Sequence, residues 1–376
     1  MFKKRLGIAV IPPIDLEPYL RLLYRNVASK GIDVFDSTWM ASSLKLLFLR
    51  RRISIVHVHW LEHYFKSPNP IVTACASLVF IFQFVFFKII GLKTMVTLHN
   101  VVPHERVFPR VEHMIFAWAL HFSDGVIVHN DYSKRYAEEV YKIDARKIFV
   151  IPHGNFINYY PDDNMSSEEA KKTLGILPDR LVLLFFGIIR PHKGIDLLIS
   201  SFEEAVGKRP QLFLLIAGKC LDVRLRTELI RFQDRFPKNC KIIMNHIPDN
   251  EVSALMRAAD VGMLPYRKVT TSGAALLFMS YGLPLIASDL PAMRETLGNT
   301  STTYFGSARA KSLEDAMLVA SRKAKLSDSD QKEILESARL LDWSKIADAT
   351  IAAYYHLISH PHAKLQRSLT VVPCAR

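Results

Sequence analysis

Short apolar runs alternate along the chain with longer segments whose apolar residues recur every three or four positions. The runs have the length of buried strands, and the longer segments have the period of amphipathic helices. This alternation is typical of βαβ units, in which helices cover a sheet of parallel strands. In the first half of the chain, strands are predicted at residues 6–11, 32–36, 53–59, 94–99, 125–129 and 148–151.

A polar, turn-rich passage at residues 160–169 interrupts this rhythm, and Ser166 or Ser167 is a suitable N-cap for the helix after it. Strand and helix patterns then resume at residue 181. The sequence therefore predicts two doubly wound α/β domains, at residues 1–163 and 164–342, followed by a helix and a basic tail at 343–376. Because such sheets bind ligands at the carboxyl ends of their strands, two of them facing each other would place a site in the cleft between them.

The longest apolar stretch, residues 71–90, carries no charge before Lys88 and is about long enough to cross a bilayer. It lies between the predicted strands at 53–59 and 94–99, so a shared parallel sheet would make it a crossover helix. Three interpretations stand open: a membrane span, a crossover helix, or a crossover helix that also dips into a membrane surface. The basic run at residues 45–52 favours the third, although it is equally typical of a solvated helix end.

Composition narrows the class of protein. The 376 residues are 49% hydrophobic and 23% charged, which indicates a folded protein. The four cysteines lack the spacing of a zinc site or a disulfide framework, so a reducing, cytoplasmic compartment is expected. The formal net charge of +13 favours anionic partners. Nucleic acid is not expected among them, because the basic residues are dispersed and not clustered with stacking aromatics.

Two loops after predicted strands carry candidate chemistry. In the first, Gly187 is followed by Arg190 and Lys193, a pair of cations that can clamp a diphosphate and neutralise charge on a departing nucleotide. In the second, Thr271, Ser272 and Gly273 would open a helix whose free N–H groups attract anions. The alternatives are a solvated loop for the first and simple capping of a buried helix for the second.

An ordered set of motifs carries a family resemblance. It comprises 186–194 (FGIIRPHKG), 216–218 (IAG), 247–252 (IPDNEV), 259–261 (ADV), Ser272-Gly273 and 281–289 (YGLPLIASD). This set resembles the donor-binding half of retaining glycosyltransferases of family 4. In the first half, residues 56–62 (VHVHWLE), 97–105 (TLHNVVPHE) and 151–154 (IPHG) are similar to bacterial polysaccharide glycosyltransferases in or near that family.

The resemblance implies a GT-B fold, in which two Rossmann-like domains face each other across a cleft and a C-terminal helix crosses back. It implies a metal-independent enzyme without a cofactor. Catalytic roles would fall to Arg190 and Lys193 on the donor diphosphate and to His99 near the reacting sugar carbon. The remaining donor-binding residues would be Gly187, Thr271, Ser272, Gly273 and Asp289.

One departure from the family concerns the helix at 273. Family members commonly carry two glutamates around it, whereas this chain has Val269 and Leu277. A retaining reaction is still favoured. An inverting reaction would need a general base, for which Glu105 and Glu62 are candidates, with a helix-start carboxylate and a plain surface residue as the respective alternatives. On the acceptor side we place His59, Glu62 and His104.

The sequence thus predicts a hexosyltransferase with GDP-mannose or a UDP-sugar as donor and a lipid-linked or oligosaccharide acceptor, active in exopolysaccharide or cell-surface glycan synthesis. The expected location is the cytoplasmic side, peripherally bound to the inner face of the membrane. The alternative is a catalytically silent GT-B homologue that binds a nucleotide sugar or a partner enzyme, which the missing glutamates favour.

Overall fold

A computed structural model describes residues 6–38, 42–101, 107–161, 164–298, 301–306, 310–322 and 327–359. By their contacts the described residues form two compact units. Unit 1 consists of residues up to Gly154 together with those from Leu341 onward, and unit 2 runs from Asn155 to Leu340. Each unit is built around one parallel six-stranded sheet, so both are α/β folds of the Rossmann-like type that the sequence predicts.

The sheet of unit 1 has the strand order β2-β1-β3-β4-β5-β6, and all its pairings are parallel. Its order reverses at β1, as in other doubly wound sheets. The strands agree with all six that the sequence predicts in this half, within two residues at each end. They are β1 (Gly7–Ile11), β2 (Asp33–Asp36), β3 (Ile55–His59), β4 (Lys93–Leu98), β5 (Gly125–Val128) and β6 (Ile148–Val150).

Helices cover both faces of this sheet and bury two apolar clusters, one on each side. The last helix of the chain belongs to unit 1: it packs on the first helix, and Trp343, Ile346 and Tyr354 join the same cluster as β1. The helices are α1 (Pro18–Ser29), α2 (Ser42–Leu49), α3 (Pro70–Ile89), α4 (Pro109–Phe122), α5 (Asp131–Glu139) and, at the end of the chain, α14 (Trp343–Ser359).

Unit 2 repeats the architecture with the strand order β12-β11-β10-β7-β8-β9. Its strands are β7 (Leu181–Phe186), β8 (Leu212–Ala217), β9 (Cys240–Ile243), β10 (Val261–Leu264), β11 (Leu285–Ser288) and β12 (Thr302–Phe305). Its helices are α6 (Ser167–Thr173), α7 (Ile195–Lys208), α8 (Val223–Arg235), α9 (Asp249–Ala258), α10 (Gly273–Ser280), α11 (Pro291–Leu297), α12 (Ala310–Arg322) and α13 (Asp328–Leu340). Ser166 caps α6 in a capping box with Glu169, which confirms the predicted helix start.

The apolar stretch at 71–90 forms α3, the crossover between the parallel strands β3 and β4. A helix that packs on the sheet between its two strands cannot also cross a bilayer, so the membrane-span interpretation is wrong. By length and composition alone, α3 could cross a membrane. Only 33% of its most apolar 18-residue segment is buried within the protein, so much of this apolar helix is exposed.

The change of unit comes at Gly154 and not at residue 163, because the segment after Gly154 is bonded to unit 2. The Asn155 amide donates to the Ala338 carbonyl at 2.8 Å, the Phe156 N–H donates to Ser280 Oγ at 2.8 Å, and Ser253 Oγ donates to the Pro161 carbonyl at 2.6 Å. The predicted third segment, 343–376, is likewise no separate unit as far as it is described, because α14 is part of unit 1.

Candidate active site

The predicted diphosphate loop lies at the carboxyl end of β7. Gly187 turns the chain with a φ of 116°, Arg190 precedes a short 3-10 helix at Pro191–Lys193, and α7 follows. A Cβ on Gly194 would lie 1.9 Å from the Pro265 carbonyl oxygen, so only glycine permits this approach. The Arg267 N–H donates to the His192 carbonyl at 2.9 Å. The loop after β7 is thus fixed against the loop after β10.

The ammonium group of Lys193 lies near two aromatic rings. It lies 5.4 Å from the ring centre of Tyr266 and 6.0 Å from that of Phe185. Burial, together with the neighbouring charge of Arg190, lowers the pKa of Lys193 to about 8. Among the described residues Lys193 forms no ion pair, and an ammonium with a lowered pKa gains free energy from an incoming anion.

The second predicted anion site adjoins the first through Tyr266. Ser272 caps α10 by accepting from the Ala275 N–H at 3.2 Å, and its hydroxyl lies 3.5 Å from Tyr266 Oη. The hydroxyl of Thr271 is buried and has no hydrogen-bond partner among the described residues. A buried hydroxyl of this kind is costly unless a ligand bonds to it. Thr271 and the N–H groups at the start of α10 are thus hydrogen-bond donors close to Lys193, an arrangement that can bind an anion.

Asp289, another residue predicted on the donor side, lies at the same carboxyl edge of the sheet of unit 2. It follows β11 and forms a two-pronged ion pair with Arg294, whose guanidinium lowers the pKa of that carboxyl. Leu277 is buried in α10, and Val269 is half-buried before it, so neither position offers a charge to a ligand.

In unit 1, four consecutive parallel strands lead into a histidine at their carboxyl ends. His59 closes β3, His99 follows β4, His129 follows β5, and His153 comes three residues after β6. Because parallel strands present their carboxyl ends at one edge, these side chains meet where doubly wound sheets bind ligands. We call this group, with His57 of β3, the histidine cluster.

The rings of the histidine cluster form a directional chain of hydrogen bonds. A carbonyl only accepts, so His129 Nδ1–H donates to Ile151 O at 2.9 Å, which leaves His129 Nε2 as an acceptor. His99 Nδ1–H then donates to it at 3.3 Å, and His59 Nδ1–H donates to His99 Nε2 at 3.0 Å. The chain ends at Tyr24, whose hydroxyl donates to His59 Nε2 at 2.7 Å. One carbonyl thus fixes the tautomers of three histidines.

His57 completes the buried end of the network. Its Nδ1 lies 2.8 Å from Tyr24 Oη and 2.6 Å from Tyr354 Oη of α14, and its Nε2 lies 2.7 Å from Thr97 Oγ1. The ring nitrogens of His57, His59, His99 and His129 are thereby all engaged. Among the described residues no set of three or more histidine, cysteine or acidic side chains is arranged to hold a metal ion.

Burial keeps the cluster uncharged. Desolvation lowers the pKa of His129 to about 4 and, together with repulsion from His129, lowers that of His57 and His153 to about 3. It holds the pKa of His59 and His99 well below the ordinary range. At neutral pH this edge of the sheet is therefore a neutral, rigid aromatic surface.

Two aromatic side chains frame His99. Trp60 stacks on it with ring centres 4.2 Å apart and adopts a left-handed backbone conformation, with a φ of 48°. The ring of Tyr19, from α1, meets that of His99 edge-on at 4.9 Å. A strained backbone at Trp60 is typical of sites where a ring must be held in place for function.

The residues predicted on the acceptor side lie in different surroundings. His59 is fully buried, with hydrogen bonds to Tyr24 and His99. Glu62 is half-buried in the 3-10 helix Leu61–Tyr64, just after β3. His104 and Glu105 lie outside the described residues.

Sequence reasoning missed Tyr266, Tyr19 and His129. The position of His129 after a predicted strand, like that of His99, was an available signal. The two tyrosines had none, because their roles arise from contacts between distant segments.

The chain is similar in sequence to two known protein families and to several characterised proteins. The model of "Glycosyltransferase Family 4" matches residues 16–155, and that of "Glycosyl transferases group 1" matches residues 180–322. The GDP-mannose:glycolipid 4-beta-D-mannosyltransferase of Xanthomonas campestris pv. campestris is 25% identical over 73% of this chain and 71% of its own length. The phosphatidyl-myo-inositol mannosyltransferase of Mycobacterium leprae is 28% identical over 64% of this chain and 61% of its own.

Among solved structures, that of Anabaena HepE in complex with UDP superposes with a TM-score of 0.71. The superposition covers 94% of this chain and 100% of that protein at 14% identity, which establishes a common fold. The predicted GT-B fold class is thereby confirmed. With two family models spanning both units, this chain is a family 4-like glycosyltransferase of the GT-B fold, an enzyme that uses a nucleotide sugar.

Proposed function

We propose that the enzyme transfers mannose from GDP-mannose to a lipid-linked or oligosaccharide acceptor, in the synthesis of a cell-surface glycan or exopolysaccharide. Two relatives with similar sequences are named as mannosyltransferases acting on a glycolipid or on phosphatidyl-myo-inositol. A UDP-sugar is the second donor choice, since the HepE structure of the same fold binds UDP.

The observation that carries this proposal is the proximity of Lys193, Tyr266 and the N-terminus of α10 in unit 2. There, a cation with a lowered pKa and an unpaired buried hydroxyl lie beside free helix N–H groups. Arg190 and Lys193 bind the donor diphosphate and stabilise its charge as it leaves. Gly187, Thr271, Ser272 and Gly273 complete the phosphate site, and Asp289 contacts the nucleotide.

On the acceptor half, His99 contacts the transferred sugar near the reacting carbon, with its ring orientation fixed by His59 and His129. The reaction retains configuration and requires no metal ion. Should it invert, Glu105 or Glu62 takes the proton of the acceptor hydroxyl. The enzyme works at the cytoplasmic face of a membrane, where its acceptor is anchored.

The test is release of nucleoside diphosphate from a panel of donors, followed by the same assay on Arg190→Ala and Lys193→Ala. Each variant should lower kcat by about 10²–10³-fold, because each removes a stabiliser of leaving-group charge. Arg224→Ala and Lys238→Ala are matched controls, since both side chains are exposed elsewhere in unit 2. Equal turnover in all four variants would refute the assignment.

A catalytically silent nucleotide-sugar binder is the alternative function, and the replacement of both family glutamates by Val269 and Leu277 favours it. Calorimetry separates the two. Donor binding without turnover, under conditions in which an acceptor extract is present, would support the silent homologue and contradict the enzyme.

A further inference from the structure

Helix α3 buries its uncharged polar residues and exposes several large apolar ones. Its buried face carries Thr73, Ser77 and Gln83 between the phenylalanines that pack on the sheet. Its exposed face is formed by Ile71 (73% exposed), Leu78 (68%), Phe82 (64%) and Ile89 (75%), with spacings of 7, 4 and 7 residues. These spacings place the four on one stripe of the helix. A helix facing water would carry its charges there.

Neighbouring helices extend this stripe into a surface. Phe48 on α2 and Met114 and Val111 on α4 are also exposed, and both helices contact α3. Large exposed apolar side chains on three neighbouring helices mark an interaction site. We call the exposed side chains of α2, α3 and α4 together the apolar face.

Basic residues flank one end of the apolar face. Arg50, Arg51 and Arg52 follow α2 directly and are exposed. They precede β3, as the end of α3 precedes β4, and these two strands are parallel neighbours. The basic run and Ile89 therefore lie at the same edge of the sheet. From residue 37 to residue 111 the sequence holds nine lysines and arginines and only two acidic residues.

We infer that the apolar face is a monotopic docking surface for an anionic bilayer, with α3 lying in the membrane interface and the arginines on lipid phosphates. An apolar stripe beside a basic patch is the pattern of interfacial helices. A second copy of the chain fits less well, because a protein with a net charge of +13 does not supply the anionic groups that complement the basic run. The inference deepens the proposed function and rests on its membrane-anchored acceptor.

Cys75 supplies a native probe for the test. It is exposed on α3 between Ile71 and Leu78, whereas the other described cysteines, Cys220 and Cys240, are buried. With Cys374→Ser as background, a polarity-sensitive fluorophore on Cys75 of the full chain should shift to the blue on vesicles of phosphatidylcholine with phosphatidylglycerol. Quenchers placed in the acyl chains should then dim it. An unshifted, unquenched probe would overturn the inference.

Substitutions test the surface itself. The double variant Leu78→Gln/Phe82→Gln should weaken vesicle affinity by at least about tenfold, since each side chain loses an apolar contact with lipid. Its Tm should stay unchanged because both side chains are exposed. Leu221→Gln/Val223→Gln, which alters equally exposed apolar residues of unit 2, is the matched control. Arg50→Gln/Arg51→Gln should weaken binding only to the anionic vesicles.

Nucleoside diphosphate release, measured in detergent-free buffer on the same variants, separates this inference from the proposed function. Vesicle binding without donor turnover by the wild type would refute the function and leave the docking surface. Turnover without vesicle binding would refute the docking surface. Sedimentation that shows a dimer dissociated by Leu78→Gln/Phe82→Gln, with vesicle affinity unaffected, would identify a second copy as the occupant and overturn the inference.

Discussion

Mild acid should destabilise unit 1 before the carboxylates of the protein titrate, because the histidine cluster is held neutral in the folded state. An unfolded histidine has a pKa of about 6.5 and binds a proton below that value. In the folded unit, burial lowers the pKa of His57 and His153 to about 3 and that of His129 to about 4, and it holds the pKa of His59 and His99 far below 6.5 as well. Stability is therefore fully present above pH ~6.5 and is lost as the pH falls below it.

The magnitude follows from the number of buried rings. At about pH 5.5, each histidine that must stay neutral on folding lowers the free energy of unfolding by about 1.4 kcal/mol, relative to alkaline pH. Five such residues together lower it by about 7 kcal/mol. A domain of this size has a stability of only about 5–15 kcal/mol, so the expected loss is a large part of the total.

Tryptophan fluorescence isolates the unit concerned. The tryptophans of the described part of the chain, Trp60, Trp118 and Trp343, all lie in unit 1. Urea unfolding followed by this signal between about pH 7.5 and pH 5.5 should therefore give a pH slope that corresponds to several protons taken up. Carboxylates, with ordinary pKa values of about 4, contribute little in this window.

Two variants make the experiment discriminating. His129→Asn keeps an amide that can donate to the Ile151 carbonyl and removes one buried imidazole, so it should lower the proton uptake by about one. His121→Gln removes an exposed histidine of the same unit and should leave the slope unchanged. A wild-type uptake of one proton or fewer between these pH values would refute the reasoning.

Three further predictions concern unit 2. The ammonium of Lys193 is charged below its pKa of about 8 and neutral above it, so kcat/KM for the donor should fall above that pH. Lys193→Arg should move this fall to higher pH. A fall at the same pH in both proteins would contradict the assignment. Thr271→Val should raise the unfolding free energy by about 1 kcal/mol and weaken donor affinity about tenfold, as measured by melting and calorimetry, because the orphaned hydroxyl destabilises only the empty site. Affinity and stability that fall together would argue against this. Gly194→Ala should destabilise unit 2 by at least about 2 kcal/mol in urea, given its φ of 69° and the close Pro265 carbonyl, and an unchanged midpoint would exclude the strain.

The strands of this fold could be predicted because both sheets are parallel and buried on two faces. Strands such as β7 (LVLLFF) and β8 (LFLLIA) read as continuous apolar runs bounded by turn residues. The exception, β12, was not predicted. Its residues Thr302, Thr303 and Tyr304 are half-exposed at the edge of the sheet, where no apolar run is required.

The candidate site was predictable only as far as it is local in sequence. Arg190 and Lys193 lie a few positions after one strand, and Ser272 lies directly before one helix. Each residue can therefore be recognised from the sequence next to it. Tyr266, which links Lys193 to Ser272, depends on the packing of two loops and has no local signature. The histidine cluster lies between these cases: each ring follows its own strand, but their order as a hydrogen-bonded chain depends on strand register and on Tyr24 from α1.

Helix α3 shows why the same pattern can support opposite conclusions. Thr73, Ser77 and Gln83 recur with a helical period in an otherwise apolar segment, which defines two faces without saying which one points inward. In water the polar face points outward, whereas next to lipid it points toward the protein, because the hydrocarbon offers no hydrogen bonds. The structure resolves this ambiguity by burying the polar face against the sheet. The orientation of Thr73, Ser77 and Gln83 thus carries more information about the surroundings of α3 than the largely apolar composition of the rest of the helix.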